Sequence, residues 1–256
     1  MNGKGQNGMA MSRVRAGLVP SFFTMANMFC GYYAILMAAH EHFILSAWLI
    51  VAAGILDTLD GKLARLTKTS SPFGVQYDSL ADVISFGAAP AALSYFVYFK
   101  QWGTVGLLVS FIPLVFGSLR LARFNVRLKG FDKQFFEGLP IPAAAITIST
   151  FVIFTDYYWH NLRWGKVFFA ILLLVSTLMI TNIRYEKMPN FTLRSDRGNR
   201  IKILIVIVGT LLIFIFPQES FFPIAIIYVF SGITRSLIKL FSSEGVTDNQ
   251  IQESQE

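Results

Sequence analysis

Four aspartates are the residues in this sequence best placed to do chemistry. They occur in the run ILDTLDGKLARLTKTSSPFGVQYDSLADVISFG as Asp57, Asp60, Asp78 and Asp82. Asp57 and Asp60 are three residues apart, which on a helix separates them by about 60° around the axis. Asp78 and Asp82 are four apart, about 40° by the same geometry. Each pair therefore lies on one helix face. Two helices joined by a connection of about ten residues pack antiparallel, so both faces can line one gap. Four crowded carboxylates repel one another, and a bound cation is the simplest way to keep them ionised. Every donor is oxygen and no His or Cys stands nearby, a set that suits Mg2+ or Mn2+ over zinc or copper.

The intervening residues fit a phosphate ligand. Gly61 follows Asp60 directly and leaves the backbone open to close approach. Ala64 is small, and Arg65 offers phosphate a planar fork of donors. A polar loop, 67–72, leads to Gly74, one turn before Asp78. Metal and arginine together neutralising a diphosphate is a recognised means of stabilising phosphoryl transfer. The competing reading is a salt-bridge cluster of these acids with Lys62, Arg65 and Lys68. Four acids with Gly, Ala and Arg at set positions weigh against it.

The elements that must position these acids are membrane helices. The chain has 256 residues, 54% hydrophobic and 14% charged, with a mean hydropathy of +0.54. A soluble domain carries about 25% charged residues, so an ordinary soluble enzyme, a disordered chain and a fibrous protein are all disfavoured. One cysteine excludes a disulfide framework and a Cys-rich metal site. Eight segments are apolar enough to cross a bilayer: 17–39, 43–63, 75–98, 103–123, 139–159, 164–183, 201–216 and 220–241. The expected fold is an all-α, polytopic membrane helix bundle. With the N-terminus inside, 19 of the 22 Lys and Arg fall on the inner side, in clusters such as Lys62–Lys68, Arg120–Lys133 and Arg184–Lys202. That asymmetry places both termini in the cytoplasm. It also accounts for the net charge of +7 without any nucleic acid partner. Residues 1–16 read as a cytoplasmic tail or surface helix, and the chain from Ser242 onward as an unstructured polar tail. Tyr157, Tyr158, Trp159 and Trp164 read as an outer aromatic belt. His40, His42 and His160 fall on the same outer side, far from the acids. All four aspartates lie at the inner boundary, where ionisable groups mark function. A cation transporter would instead need acids near the midplane, open to both faces.

The run resembles the signature of the CDP-alcohol phosphatidyltransferase family, D-x2-D-G-x2-A-R-x8-G-x3-D-x3-D. Asp57, Asp60, Gly61, Ala64, Arg65, Gly74, Asp78 and Asp82 meet every position. The resemblance implies an enzyme dependent on a divalent metal, with two Mg2+ or Mn2+ ions, that exchanges CMP on a CDP-activated lipid for an alcohol. By analogy the first three aspartates bind metal, while Asp82 is the general base and a further metal contact. Gly61, Ala64, Arg65 and Gly74 then belong to the CDP-diacylglycerol site. Residues 17–183 form the expected catalytic core of six spans, followed by a basic loop and two further spans over 184–241.

Other segments resemble the serine-using branch of that family: PSFFTMANMFCGYYAI in the first span, ISFGAAPA at 84–91, RLARFNV at 120–126 and FEGLPIPAAA at 136–145. That branch implies L-serine as acceptor, a location in the inner cell membrane with the site facing the cytoplasm, and a homodimer. Many relatives have Asn after the first-span proline, where Ser21 follows Pro20 here, so either Ser21 holds the nucleotide less extensively or Asn27 takes that place. A serine carboxylate needs a cation, and Arg120, Arg123 and Asn125 at the inner end of the fourth span are candidates. Their alternative role is positive-inside anchoring. Thr24, Ser79 and Ser85 are polar residues within helices, open to lining the cavity or to bonding backbone carbonyls. Glycerol 3-phosphate and inositol remain the competing acceptors.

Overall fold

A computed structural model describes residues 4–67, 71–127, 136–185 and 197–253. Lys68, Lys129, Lys133, Lys187 and Arg194, counted above among the inner basic residues, lie outside the described residues. The helices are α1 (Lys4–Ala39), α2 (Phe43–Thr67), α3 (Pro72–Asp82), α4 (Ala89–Ser94), α5 (Gly103–Arg127), α6 (Ile141–Trp159), α7 (Gly165–Ile180), α8 (Arg197–Ile215) and α9 (Pro217–Glu253). All eight apolar segments read from the sequence are thus helical. Among the described residues, four stretches are long and apolar enough to cross a membrane: Phe22–Ala39, Phe43–Thr67, Phe73–Val126 and Ile141–Trp159. The third reverses at Gly103, whose φ of +57° turns α5 back along the preceding helices. Gly165–Ile180 and Ile203–Ile215 are shorter apolar helices. The molecule is a membrane helix bundle.

Two expectations are corrected. The segment 75–98 is not a uniform helix. After α3 the chain widens into a π-helix over Val83–Ala88, resumes as α4, and widens again over Tyr95–Phe99. Pro90 gives a local reason: it cannot donate to the carbonyl four residues back, and its ring crowds that turn, which a looser turn just upstream relieves. The polar end of the chain is also not unstructured from Ser242, because α9 runs through Glu253. No proline follows Pro223 to stop it.

Small residues let the first helices pack closely. Ala34 and Ala38 of α1 face Ala47, Ile50 and Ala53 of α2, all fully buried. The Ser46 hydroxyl donates to Ala34 O at 2.8 Å across this seam. Farther along α1, a Cβ on Gly31 would stand 2.5 Å from Ser85 Cα. Only glycine admits the π segment there, and Ser85 Oγ donates to Asn27 O at 2.9 Å.

The structure is helical apart from one antiparallel pair of two-residue strands among the described residues, β1 (Phe136–Glu137) and β2 (Arg184–Tyr185). Two backbone bonds extend the pairing, Gly138 N to Ile183 O at 2.9 Å and Leu139 N to Leu178 O at 3.0 Å. Together they close the start of α6 onto the end of α7.

Candidate active site

Three elements bring the acids together. α2 carries Asp57 and Asp60 near its end, α3 carries Asp78 and Asp82, and α1 packs along both. Ser71 caps α3 by accepting the Gly74 N–H at 3.0 Å, which satisfies one free donor of the first turn. Gly74 therefore lies in the opening turn of α3, one turn before Asp78. Asp82 ends α3 at the junction with the π segment.

Asp57, Asp78 and Asp82 each offer an oxygen, and these oxygens lie within 4.8 Å of one another. Asp60 stands beside them, within electrostatic reach of Asp57 and Asp78. It is 5% exposed and accepts a hydrogen bond from the Thr24 hydroxyl of α1. The first, third and fourth aspartates thus form the tightest group, with the second held at its edge. Asp60 Oδ1 and Asp82 Oδ1 are buried with no hydrogen-bond partner among the described residues. Uncompensated buried carboxylate oxygens are costly, and a hard divalent cation suits such an all-oxygen set. The residues fit the metal that the acids imply.

Asn27 has no exposed surface. Its amide faces the Asp82 carboxyl, and neither polar atom has a further hydrogen-bond partner among the described residues. Arg120 of α5, 8% exposed, is also within electrostatic reach of Asp82. Its Nε is buried and unpartnered among the described residues.

The remaining sequence candidates divide. Gly61 is exposed and Ala64 half-buried. Arg65 is exposed, its Nε donating to Gly61 O at 2.8 Å, which lays the guanidinium along this face of α2. Asn125 donates to Ser79 Oγ at 3.0 Å, next to Asp78. Arg123 turns toward the end of α7, donating to Ile180 O at 3.3 Å and to the Asn182 side chain. It joins α5 to the α7 terminus, whereas Arg120 faces the acids.

The CDP-alcohol phosphatidyltransferase family profile matches residues 17–172, more than half of the chain. The chain belongs to that family. A Helicobacter pylori relative described as CDP-diacylglycerol–serine O-phosphatidyltransferase is 40% identical over 86% of this chain and 91% of its own length. An archaetidylserine synthase of Methanothermobacter thermautotrophicus is 40% identical over 66% of this chain and 70% of its own. A solved structure of Mycobacterium tuberculosis phosphatidylinositol phosphate synthase with CDP-DAG bound is 19% identical, covering 68% of this chain and 86% of that one at a TM-score of 0.49.

Two residues that pack together, ring centroids 5.6 Å apart, escaped the sequence reading, Tyr185 and Tyr228. Tyr185 lies in a two-residue strand and Tyr228 in α9, beyond the family match. Nothing in local spacing joins either to the aspartates.

Proposed function

We propose that this enzyme transfers the phosphatidyl group of CDP-diacylglycerol to L-serine, giving phosphatidylserine and CMP. The observation that carries the reading is the convergence of Asp57, Asp78 and Asp82 within a complete family signature, in a chain whose relatives are named for serine. Asp57, Asp60, Asp78 and Asp82 would hold the metal, Mg2+ or Mn2+ as two ions. Bound there, it would neutralise the diphosphate and the charge that develops on departing CMP.

The chain's own groups do the rest. The lipid lies sideways among the helices with its diphosphate at the inner boundary. Gly61, Ala64, Gly74 and Asn27 shape the nucleotide end, and Arg65 offers paired donors to phosphate. Arg120, with Arg123 and Asn125 farther out, receives the serine carboxylate. Asp82 accepts the serine hydroxyl proton as that oxygen attacks the lipid-side phosphorus. Positioning and charge neutralisation supply most of the acceleration.

The same reading places eight spans in the inner cell membrane, with both termini and the site on the cytoplasmic side. The catalytic core covers 17–183, and the working unit is a homodimer. The test is to incubate the purified protein with CDP-diacylglycerol, Mg2+ or Mn2+, and one acceptor at a time. CMP release with serine alone is the expected result. Release only with glycerol 3-phosphate or inositol would overturn the choice of acceptor.

A further inference from the structure

The rod running from α3 through α4 lies beside α5 in the opposite direction, and three contacts fix their alignment. Asn125 of α5 donates to the Ser79 hydroxyl of α3 at 3.0 Å. A Cβ on Gly87 would stand 2.8 Å from the Leu114 side chain. At the reversal, a Cβ on Gly106 would overlap Phe99 O. Asp82 lies between the first two contacts on one rod, and Arg120 and Leu121 fall across from it on the other. The alignment thus sets Arg120, 8% exposed and with its Nε unpartnered among the described residues, at the level of Asp82.

The three contacts differ in kind. Those at Gly87 and Gly106 are close packing, which has no preferred direction and lets one rod roll or slide on the other. The bond between Asn125 and Ser79 is directional. The Ser79 hydroxyl donates to Val75 O at 3.0 Å within its own helix, which leaves its oxygen to accept from Asn125 Nδ2. α3 has eleven residues and lies beyond the widened turn at Val83–Ala88. On the α1 side that turn is tied by Ser85, which donates to Asn27 O at 2.9 Å. On the α5 side the tie is Asn125, and it grips α3 at the residue that follows Asp78.

We propose that Asn125 and Ser79 are positioning residues whose bond pins α5 to α3 in the alignment that sets Arg120 at the level of Asp82. A serine held through its carboxylate by Arg120 then has its hydroxyl at the acids. This deepens the serine-transfer reading and rests on it, and it makes the part of Asn125 in acceptor binding an indirect one. Serine is small, so the cation for its carboxylate and the base for its hydroxyl must stand close together. A misplacement of about 1 Å between such groups is enough to slow a reaction severely.

The test is a double-mutant cycle on the full-length purified enzyme at saturating CDP-diacylglycerol and Mn2+, with serine varied. Ser79→Ala removes the acceptor on α3, and Asn125→Ala removes the donor on α5. Each is expected to lower kcat/KM for serine about two- to tenfold, the contribution of one neutral hydrogen bond, mainly through KM. The double variant should lie within about twofold of the poorer single, because either change alone breaks the pin. Ser79→Thr keeps the hydroxyl and should retain most of the wild-type value. A bond that served the fold alone would lower the melting temperature in detergent and leave KM for serine unchanged in the folded enzyme, and that result would overturn the inference. So would losses that multiply in the double variant. A loss in Asn125→Ala with none in Ser79→Ala would also overturn it, by making Asn125 a direct serine ligand. Should Asn125→Ala not fold, Ser79→Ala decides alone, and a wild-type KM for serine there sinks the proposal. Failure of the wild-type enzyme to use serine at all would instead overturn the reading beneath it.

Discussion

Thr24→Val tests whether Asp60 belongs to the metal site even though the other three acids form its tightest group. The Thr24 hydroxyl donates to Asp60 Oδ2, while Asp60 Oδ1 is buried without a partner among the described residues. Valine keeps the volume and removes the donor. A hydrogen bond to a charged group contributes about 1.5–3 kcal/mol, and each 1.36 kcal/mol is about a factor of ten. If Thr24 holds Asp60 toward Asp57 and Asp78, apparent affinity for Mg2+ or Mn2+ should fall about 10- to 150-fold. The assay is CMP release at saturating lipid and serine, titrated with metal, alongside thermal melting in detergent. Thr24→Ser restores the hydroxyl and should recover most of the loss. Metal dependence within about twofold of wild type in folded Thr24→Val protein would refute the argument, and would mean that Asp60 is held for packing alone.

Asp82→Asn should abolish transfer while the protein still binds CDP-diacylglycerol, measured by labelled-lipid binding; retained transfer would remove Asp82 as the base. Chelation with EDTA should reduce CMP release to background, with recovery on adding Mg2+ or Mn2+, and activity that survives exhaustive chelation would count against metal-assisted transfer. Gly31→Ala should lower the melting temperature, because its Cβ would stand 2.5 Å from Ser85 Cα and overpacking of this kind costs about 1–3 kcal/mol; an unchanged melt would show that α1 and the π segment can part without loss. Single cysteines in place of Asn2 and of Ser254, in a Cys30→Ser background, should resist an impermeant maleimide applied outside intact cells, whereas Arg163→Cys should react, and the reverse pattern would invert the orientation.

Apolar run length located the apolar helical segments among the described residues but not the polar extension of α9 past Ser242, because a membrane span must satisfy its own backbone and so announces itself locally. The spacing of Asp57, Asp60, Asp78 and Asp82 likewise identified the faces that meet, since helix periodicity fixes which residues share a side. Three features were not legible. The π segments depend on how Pro90 and the α1 contact at Gly31 are accommodated together. The separate station of Asp60 depends on Thr24, thirty-six residues earlier in the chain. The packing of Tyr228 in α9 against Tyr185 is a long-range event that no local pattern encodes. Arg120 and Arg123, alike in the sequence, part company because adjacent turns of α5 face different neighbours.

The π segment also bears on how this gene can change over time. A wide turn between Asp82 and Pro90 amounts to an extra residue lodged in an otherwise regular rod. Losing one codon there would let the coil tighten, swinging everything upstream by about 100° relative to everything downstream. Asp78 and Asp82 would then leave the gap they share with Asp57. Side chains in this stretch are therefore open to exchange wherever volume allows, but its length is not, and indels within 83–88 should be far more damaging than most replacements at the same positions.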